Sequence, residues 1–224
     1  MSLWIKICGN TSVEDALLAA EAGADAVGFV FAPSPRRVTE LQVSRIVPKL
    51  PEDLEKIGVF VDSTFDEIAA FVGNCRLTGV QLHFDASPDL PAQLRERFGP
   101  DLRILRVLHF QAGATDAIAA VAQDRNMDAV LIDSQTAKAV GGTGVPFDWT
   151  AAANQLRNQS APIRLVVAGG LTPANVCEAI ARLHPWGVDV VSGVEIAPGR
   201  KDPHKVRAFI AKARAAFVTD EIKG

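Results

Sequence analysis

Leu3-Trp4-Ile5-Lys6-Ile7-Cys8-Gly9-Asn10-Thr11-Ser12-Val13-Glu14 opens the chain and decides between its two candidate folds. Leu3–Ile7 is a short apolar run of the kind a strand covered on both faces presents. Thr11-x-x-Glu14 then has the form of a capping box at a helix start. Strand followed at once by helix recurs down the chain. Further strands are expected at Ala26–Phe31, Lys56–Val61, Gly79–His83, Leu102–Val107, Ala129–Ile132, Ile163–Val167 and Val188–Val191. Helix starts are expected at the capping box Thr64-x-x-Glu67, at Thr172-Pro173 and at Asp202-Pro203, where an N-cap precedes a proline at the first helical position. The last helix carries Val206, Phe209, Ile210, Ala213 and Phe217 on one stripe.

Such alternation gives either an open doubly wound sheet or a closed (β/α)8 barrel. An open sheet usually announces itself with G-x-G-x-x-G after its first strand, and Cys8-Gly9-Asn10 is no such turn. Eight units share 224 residues at 28 each, enough for a strand, a helix and two short loops, and they fill the chain from residue 3 to residue 217. The expectation is a single-domain TIM barrel over residues 1–224.

Composition bounds the function. Lys and Arg total 23 against 26 Asp and Glu, a net charge of −3, without the basic stripe of a nucleic-acid or anionic-membrane binder. With 48% hydrophobic and 22% charged residues the chain is an ordinary globular protein, large enough to do without disulfide or metal staples. Three scattered cysteines, Cys8, Cys75 and Cys177, suit reduced thiols, and no stretch nears the ~18 apolar residues of a membrane span. The reading is a soluble cytoplasmic protein with no nucleic-acid and no membrane partner, a monomer or homodimer.

Catalytic groups of a barrel sit at the C-terminal ends of its strands and in the loops that follow. Period-two alternation puts Trp4, Lys6 and Cys8 on one face, so Cys8 is either a packed small hydrophobe or a thiol whose pKa Lys6 depresses below ~8.5. Cys75 and Cys177 lie in helical patterns and read as buried packing residues. Asp133 closes an apolar strand and is either a cap or an acid at the barrel mouth. Ser134 to Pro146, with Gly141, Gly142 and Gly144, has the composition of a lid. Arg36, after the second strand, is a solvated charge or a fork for a carboxylate or phosphate. His83 faces the mouth or satisfies a carbonyl. His109, His184 and His204 show no metal spacing, and no metal site is expected. Gly169-Gly170 and Ser192-Gly193, after the seventh and eighth strands, match the usual phosphate cradle of this barrel class.

These residues, with Gly23–Phe31, Ser34-Pro35-Arg36-Arg37-Val38, Gly58–Val61, Val80–His83, Phe147-Asp148-Trp149 and Pro198-Gly199, resemble the phosphoribosylanthranilate isomerases over nearly the whole chain. The resemblance implies a barrel of the ribulose-phosphate-binding type. It implies an Amadori rearrangement of an aminoaldose to an aminoketose in tryptophan biosynthesis, with a small phosphorylated substrate and no cofactor. By position it implies Cys8 as general base, Asp133 as general acid, Arg36 as partner of the anthranilate carboxylate, and the backbone about Gly169, Gly170, Ser192 and Gly193 as phosphate site. His83 and Asp189 match family positions at strand ends and are expected, with Arg36, to bind the substrate. Catalysis near neutral pH calls for a raised Asp133 and a lowered Cys8. Asn10, where the family usually has an apolar residue, and Phe84, where glycine is common, depart from the pattern beside the mouth. Two other readings fit less of the sequence: a related phosphate barrel acting on another sugar phosphate, and a non-catalytic binding module with Cys8 merely packed.

Overall fold

The computed structural model describes residues 2–83, 87–109, 123–133 and 164–221. Eight parallel strands close into a barrel: β1 (Trp4–Ile7), β2 (Ala26–Val30), β3 (Glu55–Phe60), β4 (Gly79–Leu82), β5 (Arg103–His109), β6 (Ala129–Asp133), β7 (Leu165–Val167) and β8 (Gly187–Val190). Closure is made by β8 against β1, where Trp4 opposes Gly187 and Lys6 opposes Asp189. All eight lie within two residues of the sequence expectation. Residue 163, Phe84 and the stretch from Ser134 to Pro146, with Phe147-Asp148-Trp149, fall outside the described residues. Among the described residues no helix is long and apolar enough to cross a membrane.

Period-two alternation sorts each strand between two cores. Leu3, Ile5 and Ile7 point outward into the main core with Val27, Phe29, Val80, Leu82, Ile132 and Val188, under the helices. Trp4, Ile57, Leu105, Val107, Leu131 and Val166 point inward and plug the barrel. Trp4 stacks on Trp186 at 5.2 Å, and the guanidinium groups of Arg103 and Arg164 lie over the Trp186 ring, each 5.4 Å from its centroid. These rings and guanidinium groups fill that end of the barrel.

The helix Phe65–Cys75 starts on the expected capping box: Thr64 Oγ1 accepts from Glu67 N, and the Glu67 carboxylate accepts from Thr64 N at 2.8 Å. Pro203–Glu221 starts on Asp202, whose carboxylate accepts from His204 N at 2.9 Å, and buries the expected stripe of Val206, Phe209, Ile210 and Ala213. Two starts differ. Val13–Glu21 is capped by Ser12, which accepts from Asp15 N, because the Thr11 hydroxyl donates instead to Gly199 O at 2.6 Å. The helix after β7 is Val176–Leu183, later than Thr172-Pro173 implies. There Thr172 Oγ1 accepts from Ala174 N and Asn175 Oδ1 from Thr172 N, closing a separate turn first. Cys75 is buried as expected, whereas Cys177 faces solvent.

Candidate active site

Cys8 follows β1 directly and is buried, its sulfur turned into the barrel. Gly28 of β2 makes the room: a Cβ there would stand 2.4 Å from Cys8 Sγ and 3.0 Å from Lys6 Cε. The thiol therefore occupies the volume that any side chain at residue 28 would need. It packs among Val30, Ala32 and Val59, the apolar rim of the mouth.

Beneath the thiol lies a buried charge. Lys6 is fully buried, and its Nζ donates to Asp189 Oδ1 at 2.9 Å and to Gln81 Oε1 at 2.8 Å. One ammonium thus joins β1, β8 and β4 across the interior. Burial alone would lower the Lys6 pKa, but the Asp189 and Cys8 charges and hydrogen bonds outweigh it and hold it above 10.5. The thiol follows the opposite course from the sequence expectation. Burial, reinforced by Asp189, pushes its pKa up, and the Lys6 and Lys201 ammoniums only partly offset this. Lys6 is beside Cys8 as alternation implies, yet most of its charge is answered by Asp189.

A second buried network borders the thiol. Arg36 is 5% exposed, not a solvated charge: Nε donates to Glu195 Oε1 at 2.9 Å and Nη2 to Glu195 Oε2 at 2.7 Å. Lys201 Nζ donates to the same carboxylate at 3.0 Å and to the carbonyl oxygen of Cys8. Burial would raise the Glu195 pKa, but hydrogen bonds and charge from Arg36 and Lys201 hold it below 4.5. Burial pulls Lys201 below its ordinary value despite Glu195. The ribbon Glu195–Ala197/Arg200–Lys201, β9 and β10, pairs residue 195 with residue 201 and so sets the two charges together. Gly9, at φ 74°, lets the main chain pass Arg36, since a Cβ there would lie 2.8 Å from Arg36 Cδ.

The other expected residues are at the same mouth. Asp133 ends β6 on the inward register of Ala129 and Leu131, half-buried. His83 follows β4 on the register of Gln81, half-buried, its N–H bonded to Phe60 O. Gly169 and Gly170 both adopt left-handed backbone, φ 80° and 64°, which glycine alone tolerates in succession. Gly193, in the short turn Ser192–Val194, touches the chain after β7 so closely that a Cβ would lie 1.8 Å from Leu171 O. The loops after β7 and β8 are therefore one joined surface. Among the described residues no group of three His, Cys, Asp or Glu is placed to hold a metal.

The residues 5–212 match the profile of the N-(5'-phosphoribosyl)anthranilate (PRA) isomerase family. The chain belongs to the phosphoribosylanthranilate isomerase family. A protein of that name from Trichlorobacter lovleyi is 43% identical over 95% of this chain and 98% of its own. The crystal structure of the isomerase from Thermotoga maritima superposes with a TM-score of 0.82 at 34% identity, covering 95% of this chain and 99% of that one. Another isomerase crystal structure, in complex with reduced 1-(o-carboxyphenylamino)-1-deoxyribulose 5-phosphate, gives 0.79 at 33% identity with the same coverage. Within this isomerase fold, sequence reasoning missed Gln81, Glu195 and Lys201. Gln81 shares with Lys6 and Asp189 the inward register of apolar strands, where a charge must be paired, and that pattern could have found it. The meeting of Arg36 with Glu195, 159 residues away, has no local signal.

Proposed function

We propose that Cys8 and Asp133 are the base and acid of an Amadori rearrangement that converts N-(5-phosphoribosyl)anthranilate to 1-(2-carboxyphenylamino)-1-deoxyribulose 5-phosphate. Asp133 protonates the furanose ring oxygen. The C1′–O bond breaks as the anthranilate nitrogen lone pair forms C1′=N⁺. The Cys8 thiolate takes the proton on C2′; its bonding pair becomes C1′=C2′ while the iminium pair returns to nitrogen. The enolamine then becomes the ketone: the C2′ hydroxyl gives up its proton as C2′=O forms, and the C1′=C2′ pair takes a proton at C1′. C2′ is oxidised and C1′ reduced within one molecule, so the electrons balance without a redox cofactor.

The observation that carries this reading is the thiol turned into the barrel over Gly28, at the mouth that Asp133 also faces. A base working from a buried, raised thiol needs an acidic proton, and the iminium supplies one. Arg36 takes the anthranilate carboxylate: its Nη1 makes no hydrogen bond to the described residues. The backbone N–H groups of Gly169, Gly170, Ser192 and Gly193 hold the phosphate. His83 borders the sugar, and Asp189 acts through Lys6 beneath the thiol. Three free thiols and a reaction on a small metabolite support a cytoplasmic setting.

Loss of anthranilate fluorescence on conversion gives the assay. Cys8→Ala and Asp133→Ala should each lower turnover by about 10²–10⁴-fold with unchanged circular dichroism. Near-normal turnover in either variant removes the mechanism. Faster turnover of the histidine-pathway aminoaldose than of phosphoribosylanthranilate removes the substrate assignment.

A further inference from the structure

Arg36 could present its fork to a ligand only if something fixed the guanidinium, and the structure holds that something. Glu195 covers the Nε/Nη2 edge with three contacts of 2.7–3.1 Å. The carboxylate is itself held by Lys201 Nζ at 3.0 Å and accepts from Gly199 N at 3.2 Å. All three side chains are buried, with Arg36 at 5%, Glu195 at 7% and Lys201 at 2% exposure. A guanidinium pinned along one edge cannot rotate, so its remaining amino group, Nη1, has a fixed direction.

We propose that Glu195 is a positioning residue for substrate specificity: by clamping one edge of Arg36 it aims Nη1 at the aromatic carboxylate of the substrate. The inference rests on the proposed role of Arg36. Lys201 keeps the Glu195 carboxylate charged and, through the Cys8 carbonyl, ties the clamp to the main chain that carries the thiol. The ribbon after β8 therefore does more than follow the phosphate loop; it sets the carboxylate subsite. Glutamate suits the place because its two oxygens meet two donors of the fork while a second cation, Lys201, shares one of them. A neutral amide of the same shape would meet the fork with one oxygen only.

The test compares phosphoribosylanthranilate with N-(5-phosphoribosyl)aniline, which lacks the carboxylate, in the wild type, Glu195→Gln and Arg36→Met. The reading is the ratio of kcat/KM on the two substrates. In Glu195→Gln the ratio should fall at least tenfold, toward the Arg36→Met value, through KM for the carboxylated substrate. The double variant should discriminate no worse than Arg36→Met alone. An unchanged ratio, whether both substrates suffer equally or neither does, overturns the proposal, because general damage to the fold would not select for the carboxylate. If Glu195→Gln does not fold, Glu195→Asp, which keeps the charge but shortens its reach, is read the same way. Absence of turnover by the wild type would refute the proposed function, an outcome distinct from a wild type that turns over with a ratio Glu195 does not control.

Discussion

Replacing Gly193 by alanine should separate the two loops assigned to the phosphate. The added Cβ would lie 1.8 Å from Leu171 O, 2.9 Å from Leu171 C and 3.1 Å from Thr172 Cα, all main-chain atoms that no rotamer change can move aside. Relief to an ordinary contact of ~3 Å or more requires the backbones to part by about 1 Å, and overpacking of this kind costs about 1–3 kcal/mol of stability. The same displacement stretches N–H···phosphate bonds beyond useful length. A hydrogen bond to a charged group contributes about 1.5–3 kcal/mol, so each one lost raises KM by about 10–150-fold. Steady-state kinetics on phosphoribosylanthranilate, with inorganic phosphate as competitive inhibitor, separates this from global damage. KM and the phosphate inhibition constant should rise together while kcat changes little. Gly73→Ala is the control: it lies inside the helix Phe65–Cys75 with open space where its Cβ would go, and should gain about 0.5–1 kcal/mol. If Gly193→Ala keeps the wild-type KM and phosphate inhibition, these loops do not hold the phosphate.

Gly28→Ala puts a Cβ 2.4 Å from the Cys8 sulfur and should displace the thiol, lowering kcat by about 10²-fold, the cost of a ~1 Å misplacement; an unaltered kcat would show that the thiol need not sit there. In the double variant Lys6→Met/Asp189→Asn, which leaves no unpaired ion, the thiol loses a nearby ammonium but also a nearby carboxylate. Because Lys6 is the larger of the two influences on the thiol, its pKa rises, and the ascending limb of kcat/KM against pH should move to higher pH; a limb that stays put excludes Cys8 as its source. Cys75 is pushed up to about 11 by burial and by the nearby Glu40 charge. Above pH 9 the unfolded thiol ionises while the folded one stays protonated, so stability present below that pH should be lost as pH climbs toward 11. Urea melts of wild type and Cys75→Ala across that window should differ in slope, and parallel slopes would refute the shift.

The barrel was legible because its signals are local. Apolar runs, turn glycines and helix caps each need only a few neighbouring residues, and alternation alone turned Trp4, Lys6 and Cys8 inward. Where a local signal failed, a distant contact decided. The sequence pointed to Thr11 as a helix cap, but Gly199, 188 residues away, took the Thr11 hydroxyl and Ser12 caps the helix instead. The thiol's acidity failed for the same reason in electrostatic form. Its one sequence-visible neighbour is a cation, whereas burial and the Asp189 charge arrive only with the closure of β8 on β1. Arg36 stayed open between a solvated charge and a fork for an anion because its partner Glu195 lies across the fold.

Stability does not explain a fully buried lysine in the barrel. Well-packed apolar residues in place of a buried ion pair are often neutral or stabilising by about 1–4 kcal/mol, and the apolar plug with Trp4, Leu105 and Leu131 is built that way. Among the described residues, the charges that point into the barrel interior lie beside the thiol. Lys6, Arg36 and Lys201 surround it against Asp189 and Glu195, three cations to two carboxylates, all buried. Among these five groups one positive charge is in excess beneath the mouth. That excess lowers the cost of a thiolate that burial otherwise opposes, and it attracts a substrate bearing both a phosphate and a carboxylate. On the proposed mechanism, an apolar replacement of Lys6 and Asp189 should accordingly make a firmer barrel and a poorer base, so that urea melts shift to higher denaturant while kcat falls.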